Sequence, residues 1–224
     1  MSAVLASLRR LLPRFERTGS AEPCGRWVVV DTETSGLDPE RDRLLAIGGV
    51  AVSAAGIDIE DSFEIVLKGD AAGDAANIVV HGIGHGAQAR GVPVAEALAA
   101  YRAWVAGAPL VGFHADFDRT VLRNAFAGAG MSGSDAPWLD LSPLAAALVP
   151  EAYRYRYGGR SLDDWLAAFG IECTIRHNAA ADALATAELL LRLRAVAAKQ
   201  GARGHAALRK VARQQKWLAS AGDD

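Results

Sequence analysis

Cysteine is scarce in this chain. The two present, Cys24 and Cys173, share no short-range metal spacing. That excludes a disulfide framework or a cysteine-built zinc cage, and it fits a reducing, cytoplasmic setting. Long apolar runs are missing too. None approaches the ~18 residues of a membrane-spanning helix, so no membrane partner is expected. Nor is there an excess of positive charge, with 24 Lys and Arg against 26 Asp and Glu and a formal net charge of −2. A histone-like polycation is thereby excluded, while a local basic face is not. The opening MSAVLASLRRLLPRF is interrupted by Arg9 and Arg10 and has no cleavage site after an apolar core, so it is a poor secretory signal. Its Val4, Leu5, Leu8, Leu11, Leu12 and Phe15 fall at helical spacing and predict an amphipathic helix docked on the rest of the chain.

What is present suits one compact unit with additions at both ends: 224 residues, 51% hydrophobic and 22% charged. Charge is unevenly placed. Asp31 to Asp74 holds eleven acids against three bases, whereas Leu189 to Gly222 holds eight Lys or Arg and no acid. Such a division fits a metal-holding region beside a polyanion-binding edge, or simply a solvated helix face. The expected organisation is an N-terminal helix and linker (1–25), a central domain (26–200) and a basic C-terminal helix (201–224).

Strand signals come first, at Trp27–Glu33, Leu44–Val52 and Phe63–Lys68, with short turns that favour antiparallel pairing. Residues 69–92 are rich in Gly and Ala and lack a period, predicting a long loop with at most a short helix. Pro93 opens a helix. Pro109–Phe113 is a fourth strand, Phe117–Ala127 a helix, and WLDLSPLAAALVP a further strand-to-helix step. Ser161 and Asp164 form a candidate capping box for a helix that Gly170 ends. Long and basic helices follow over Ala179–Lys199 and His205–Leu218. This order predicts an α/β fold with a sheet of mixed direction.

The candidate chemistry lies in carboxylates. WVVVDTETSGLD runs a buried strand directly into Asp31 and Glu33. Residues two apart on a strand share a face, and two like charges there are tolerable mainly when a cation lies between them. Hard oxygen donors select Mg²⁺ or Mn²⁺. The plain alternative is a strand end that reaches water. In LVGFHADFDRTVL a strand delivers Asp116 and Asp118 to a helix start, where only one of the two faces the strand end and the other is free to cap. In RHNAAADALATAELLLRL, small residues surround Asp182 and let its helix lie close to the sheet. His177 precedes that helix, either overhanging the same place or serving as a surface histidine.

Taken together, D-T-E-T-S-G, F-D-x-x-x-L and R-H-x-x-x-x-D-A-x-A-T-A, in this order, resemble the three motifs of the DnaQ-like 3′–5′ exonucleases, histidine branch. The resemblance spans roughly Arg26 to Arg194. It implies a ribonuclease H-like fold, with a mixed five-stranded sheet flanked by helices. It also implies Asp31, Glu33, Asp118 and Asp182 as ligands of two divalent ions, Mg²⁺ or Mn²⁺, and His177 as general base. Thr34 would let the backbone approach the terminal nucleotide, Gly36 would permit a sharp turn, and Ile83 would wedge against the terminal base. Relatives usually carry Asn four residues before the second-motif Asp. Here His114 holds that position, a candidate substrate contact, and Asp116 is an extra acid.

Phosphodiester hydrolysis needs an activated water and relief of phosphate charge, which two metals about 4 Å apart supply together. The expected activity is removal of nucleotides from single-stranded 3′ ends, of DNA before RNA, with a DNA polymerase subunit as a further partner. The alternatives are an RNA-trimming relative and a non-catalytic polymerase or nucleic-acid partner. The full set of five residues argues against the latter. His81 and His85 are four apart, but the surrounding glycines make a metal-binding helix a poor expectation. YRYRYGGR (153–160) has the alternation of aromatic and basic residues that single-strand binding uses.

Overall fold

The computed structural model describes residues 25–69, 82–149 and 161–221. The expected N-terminal helix, His81 and the Tyr-Arg stretch lie outside the described residues. Five strands, β1 (Trp27–Thr34), β2 (Leu44–Ser53), β3 (Gly56–Val66), β4 (Leu110–Gly112) and β5 (Trp138–Asp140), form one sheet in the order β3-β2-β1-β4-β5. Pairing is antiparallel among β3, β2 and β1, and parallel from β1 through β4 to β5. The mixed five-stranded sheet is thus borne out.

Helices cover both faces: α1 (His85–Ala89), α2 (Val94–Val105), α3 (Ala115–Gly128), α4 (Leu141–Leu148), α5 (Leu162–Phe169), α6 (Ala179–Lys199) and α7 (Gly204–Ala221). This double covering explains the unbroken Val28-Val29-Val30 run, because a central strand buried on both sides has no polar face. Trp27 and Val29 join Val111, Leu139 and the apolar sides of α4 to α7, while Val28 and Val30 join Leu110 and the sides of α2 and α3. No helix among the described residues is long and apolar enough to cross a membrane.

One expectation needs correction. The third strand begins at Gly56, not Phe63, and Leu67 keeps only an isolated bridge to Val92. Asp58, Glu60 and Asp61 hide this start in the sequence. On this edge strand Asp58 and Glu60 face water and Asp61 is paired with Arg26 and Trp104, so polarity there does not end the pairing. The Ser161–Asp164 capping box is present with both of its hydrogen bonds, and Gly170 closes α5 in the left-handed region at φ 63°.

Helix α6 lies unusually close to β2. A Cβ at Gly48 would collide with the backbone of Ala179 and Ala180, so glycine on the strand and alanines on the helix bring two backbones together. That contact fixes the first turn of α6 over the sheet.

Candidate active site

The close approach of α6 carries Asp182 onto the end of β1. Asp31 and Glu33 continue the Trp27, Val29 alternation toward α6. One carboxylate oxygen each from Asp31, Glu33 and Asp182 lies within 4.8 Å of the others. A register shift between Glu33 and Thr34 marks where β1 departs from its ladder with β2, a common device beside active sites. Asp118 enters from the first turn of α3 and is 3% exposed, but its Oδ1 accepts a 2.7 Å hydrogen bond from the Thr32 hydroxyl. It stands beside the trio rather than in it. Asp116, two residues earlier, is exposed and ion-paired with Lys216. One acid of the two thus turns inward, as helical geometry requires.

Four acids in so small a volume perturb one another. Burial, then repulsion from Asp118, Asp182 and Glu33, holds the Asp31 carboxyl well above its ordinary range. Burial with repulsion from Asp182 and Asp118 lifts Glu33 to about 7. Burial lifts Asp118 to about 7 against the Thr32 hydrogen bond. Asp182 is raised by burial, opposed by Arg176, whose guanidinium bridges Asp182 and Asp163. One guanidinium does not offset four carboxylates. The residues therefore fit divalent cations, both in charge and as an all-oxygen donor set.

The remaining predicted residues surround this cluster. His177 is exposed with φ 59°, and its backbone N–H donates to Asp182 Oδ2 at 2.9 Å. Thr34 is 9% exposed, and its hydroxyl donates to the Gly36 carbonyl at 2.6 Å. Gly36 is not in the left-handed region. A Cβ there would instead strike the Asp42 carboxylate, which also accepts from Ser35 and the Asp38 amide. The missing Cβ at Gly36 leaves room for this carboxylate. Ile83 is buried against Leu45, Ala46 and Ala179 beside the start of α6. His114 is exposed with φ 57° between β4 and α3, and its N–H donates to Asp140. The side chain of His85 lies outside the described set.

Three neighbours escaped the sequence reading. Thr32 points to the opposite face of β1 from Asp31, so only the fold brings it to Asp118. Asp140 caps α4 through Ser142 N–H and also takes the His114 amide. Arg176 was visible as the residue before His177, but its ion pair needs the turn between α5 and α6.

A mixed α/β sheet covered on both faces, with carboxylates gathered at the end of its central strand, defines a ribonuclease H-like nuclease fold. Residues 28–190 match the family described as Exonuclease (RNase_T), and the chain belongs to this family. The DnaQ-like resemblance is borne out.

A DNA polymerase III subunit epsilon-like protein of Rhodobacter capsulatus is 33% identical over 170 residues, 75% of this chain and 23% of that protein. The PolC-type DNA polymerase III of Bacillus cereus is 29% identical over 167 residues, 75% of this chain and 11% of that protein. The chain thus spans less than a quarter of these relatives' length. Among solved structures, E. coli exonuclease I in complex with a dT13 oligonucleotide superposes with a TM-score of 0.66 at 19% identity, over 79% of this chain and 42% of that one. Exonuclease X in complex with 5′ overhanging duplex DNA gives 0.61 at 18%, over 83% and 99%. These two likenesses speak to the fold.

Proposed function

We propose that this protein is a divalent-metal-dependent 3′–5′ exonuclease that removes nucleotides from single-stranded DNA. The observation that carries the proposal is the convergence of Asp31, Glu33 and Asp182 oxygens within 4.8 Å, with buried Asp118 beside them. Asp31, Glu33 and Asp182 would hold Mg²⁺ or Mn²⁺, with Asp118 completing the set for two ions. Bound divalent ions supply neutralisation of phosphate charge and activation of water.

The chain's own residues do the rest. His177, exposed beside Asp182, accepts the proton of the attacking water. The backbone at Thr34 lies along the terminal nucleotide, Ile83 gives its base an apolar neighbour, and His114 contacts the strand near the end of β4. DNA as substrate is supported by the names of the polymerase III relatives and by the dT13 complex of exonuclease I. The epsilon-like relative also supports association with a DNA polymerase.

The test uses matched 5′-labelled single-stranded DNA and RNA oligonucleotides with Mg²⁺, Mn²⁺ or EDTA. The expected result is a metal-dependent ladder shortening from the 3′ end, faster on DNA, and lost in Asp31→Ala and His177→Ala. Cleavage persisting in EDTA, or no cleavage by the wild type in either metal, would overturn the proposal.

A further inference from the structure

Helix α7 lies beyond the residues that match the exonuclease family, 28–190, yet it is built into the fold. Leu208 and Ala212 are buried in the core. Near its start the His205 ring is 3.3 Å from the Leu110 carbonyl oxygen and edge-on to Trp27. Near its end Lys216 is ion-paired with Asp116 in the first turn of α3. Leu110 begins β4 and Asp116 follows that strand's far end. Helix α7 therefore climbs the side of the sheet toward the level of the carboxylates.

Arg209, Arg213 and Lys216, spaced four and three apart, share one stripe of this helix. Between that stripe, the start of α3 and the end of β5 runs a groove of about 610 Å³, to which α3 adds Arg119. The acids along it are largely engaged: Asp116 by Lys216, and Asp140 by the amides of His114 and Ser142, with Asp135 at the rim. Arg119 and Arg213 have no ion pair or hydrogen bond among the described residues, and the buried Arg209 Nε has no acceptor. A buried donor without an acceptor is costly, so the Arg209 guanidinium gains from any shift that brings its Nε to an anion's oxygen. Trp217, 68% exposed, stands one turn beyond Arg213, an apolar plate of the kind on which bases stack. Strand β5 is two strands from β1, or about 10 Å, so the groove opens a short step from the carboxylates.

We propose that this groove, with Trp217, is a binding track for single-stranded nucleic acid. It holds the phosphates of the strand on the 5′ side of the bond cut and stacks a base on the indole. The occupant rests on the exonuclease reading. Binding to the groove does not require turnover, so the two are tested separately.

The experiment measures anisotropy of fluorescein-labelled DNA and RNA oligonucleotides of about 20 nucleotides, against salt. It uses the full chain in an Asp31→Asn background that leaves the oligonucleotide uncut. Arg119→Gln/Arg213→Gln is expected to weaken binding tenfold or more at low salt and to flatten the slope of log K against log salt by about 1.4, two single-strand phosphate contacts' worth. Trp217→Ala is expected to weaken binding about fivefold or more at any salt. Lys199→Gln, at the far end of α6, is expected to change neither. Equal losses on DNA and RNA would mark the track as reading phosphate and base stack alone, whereas a loss on DNA only would make it the DNA-selective element. Both support the groove. No binding by the Asp31→Asn chain, or a double variant indistinguishable from Lys199→Gln, would overturn it. Binding through the groove by a wild type that cuts neither oligonucleotide would overturn the exonuclease reading and leave the track standing.

Discussion

Asp31 and Glu33 sit where no isolated strand would put them, and in the metal-free protein burial and the neighbouring carboxylates oppose the ionisation of both. Asp31→Asn removes a charge from the cluster while keeping its shape. It should abolish cleavage yet raise the stability of the metal-free fold, since the burial and repulsion that oppose the Asp31 carboxylate do not act on a neutral amide. Melting curves in EDTA check this, and an unchanged or lower Tm would contradict it. The same repulsion sets a pH dependence. Glu33 and Asp118, both lifted to about 7 by burial first, bind protons in the folded state that the unfolded chain has already released. Their contribution is therefore fully present below about pH 4 and is lost as pH rises to about 7. Metal-free protein should melt lower at about pH 8 than at about pH 5, with saturating Mg²⁺ reversing much of the difference. At this scale the sequence was legible where strand alternation fixes a shared face, as with Asp31 and Glu33, while Asp182 was readable only from the small residues around it and from its motif. It was silent on Thr32 with Asp118 and on Arg176 with Asp163, because those pairings exist only after packing.

The contact between β2 and α6 turns a helix start into part of a site. Gly48 has no room for a methyl group, because the Ala179 and Ala180 backbone occupies that space. Gly48→Ala should cost about 1–3 kcal/mol through forced separation of strand and helix. Because α6 carries Asp182, activity should fall more than stability, roughly a hundredfold for a displacement near 1 Å. Calorimetry and cleavage rates on the same preparation separate the two effects. The boundaries of α6 and the capping box of α5 were readable from caps, alanines and Gly170. The early start of β3 was not, since acids on an edge strand resemble a loop to any rule based on burial.

Across the whole molecule, charge is divided between an acidic strand end and a basic helix, α7, on the edge of the same sheet. The sequence displayed this division as a run of bases without acids, but not that the two meet around the start of α3. A ligand that binds only the folded state stabilises all of it, by about 2.7 kcal/mol at a hundred times its Kd. Mg²⁺ titrated into the metal-free chain should raise Tm accordingly, and the rise should shrink in Asp182→Asn. A wild-type Tm indifferent to Mg²⁺ and Mn²⁺ would mean that the carboxylates hold neither.

Because the trio joins β1 to α6, its carboxylates are far apart in the order of synthesis. A ribosome delivers Asp31 and Glu33 early and Asp182 only after the whole sheet has been made, and contacts of such long separation form late. A nascent chain stopped before Ala179 has two of the three converging carboxylates and an uncovered Gly48 face. The centre is thus a late product of translation, and a growing polypeptide that has not yet reached α6 carries no finished version of it.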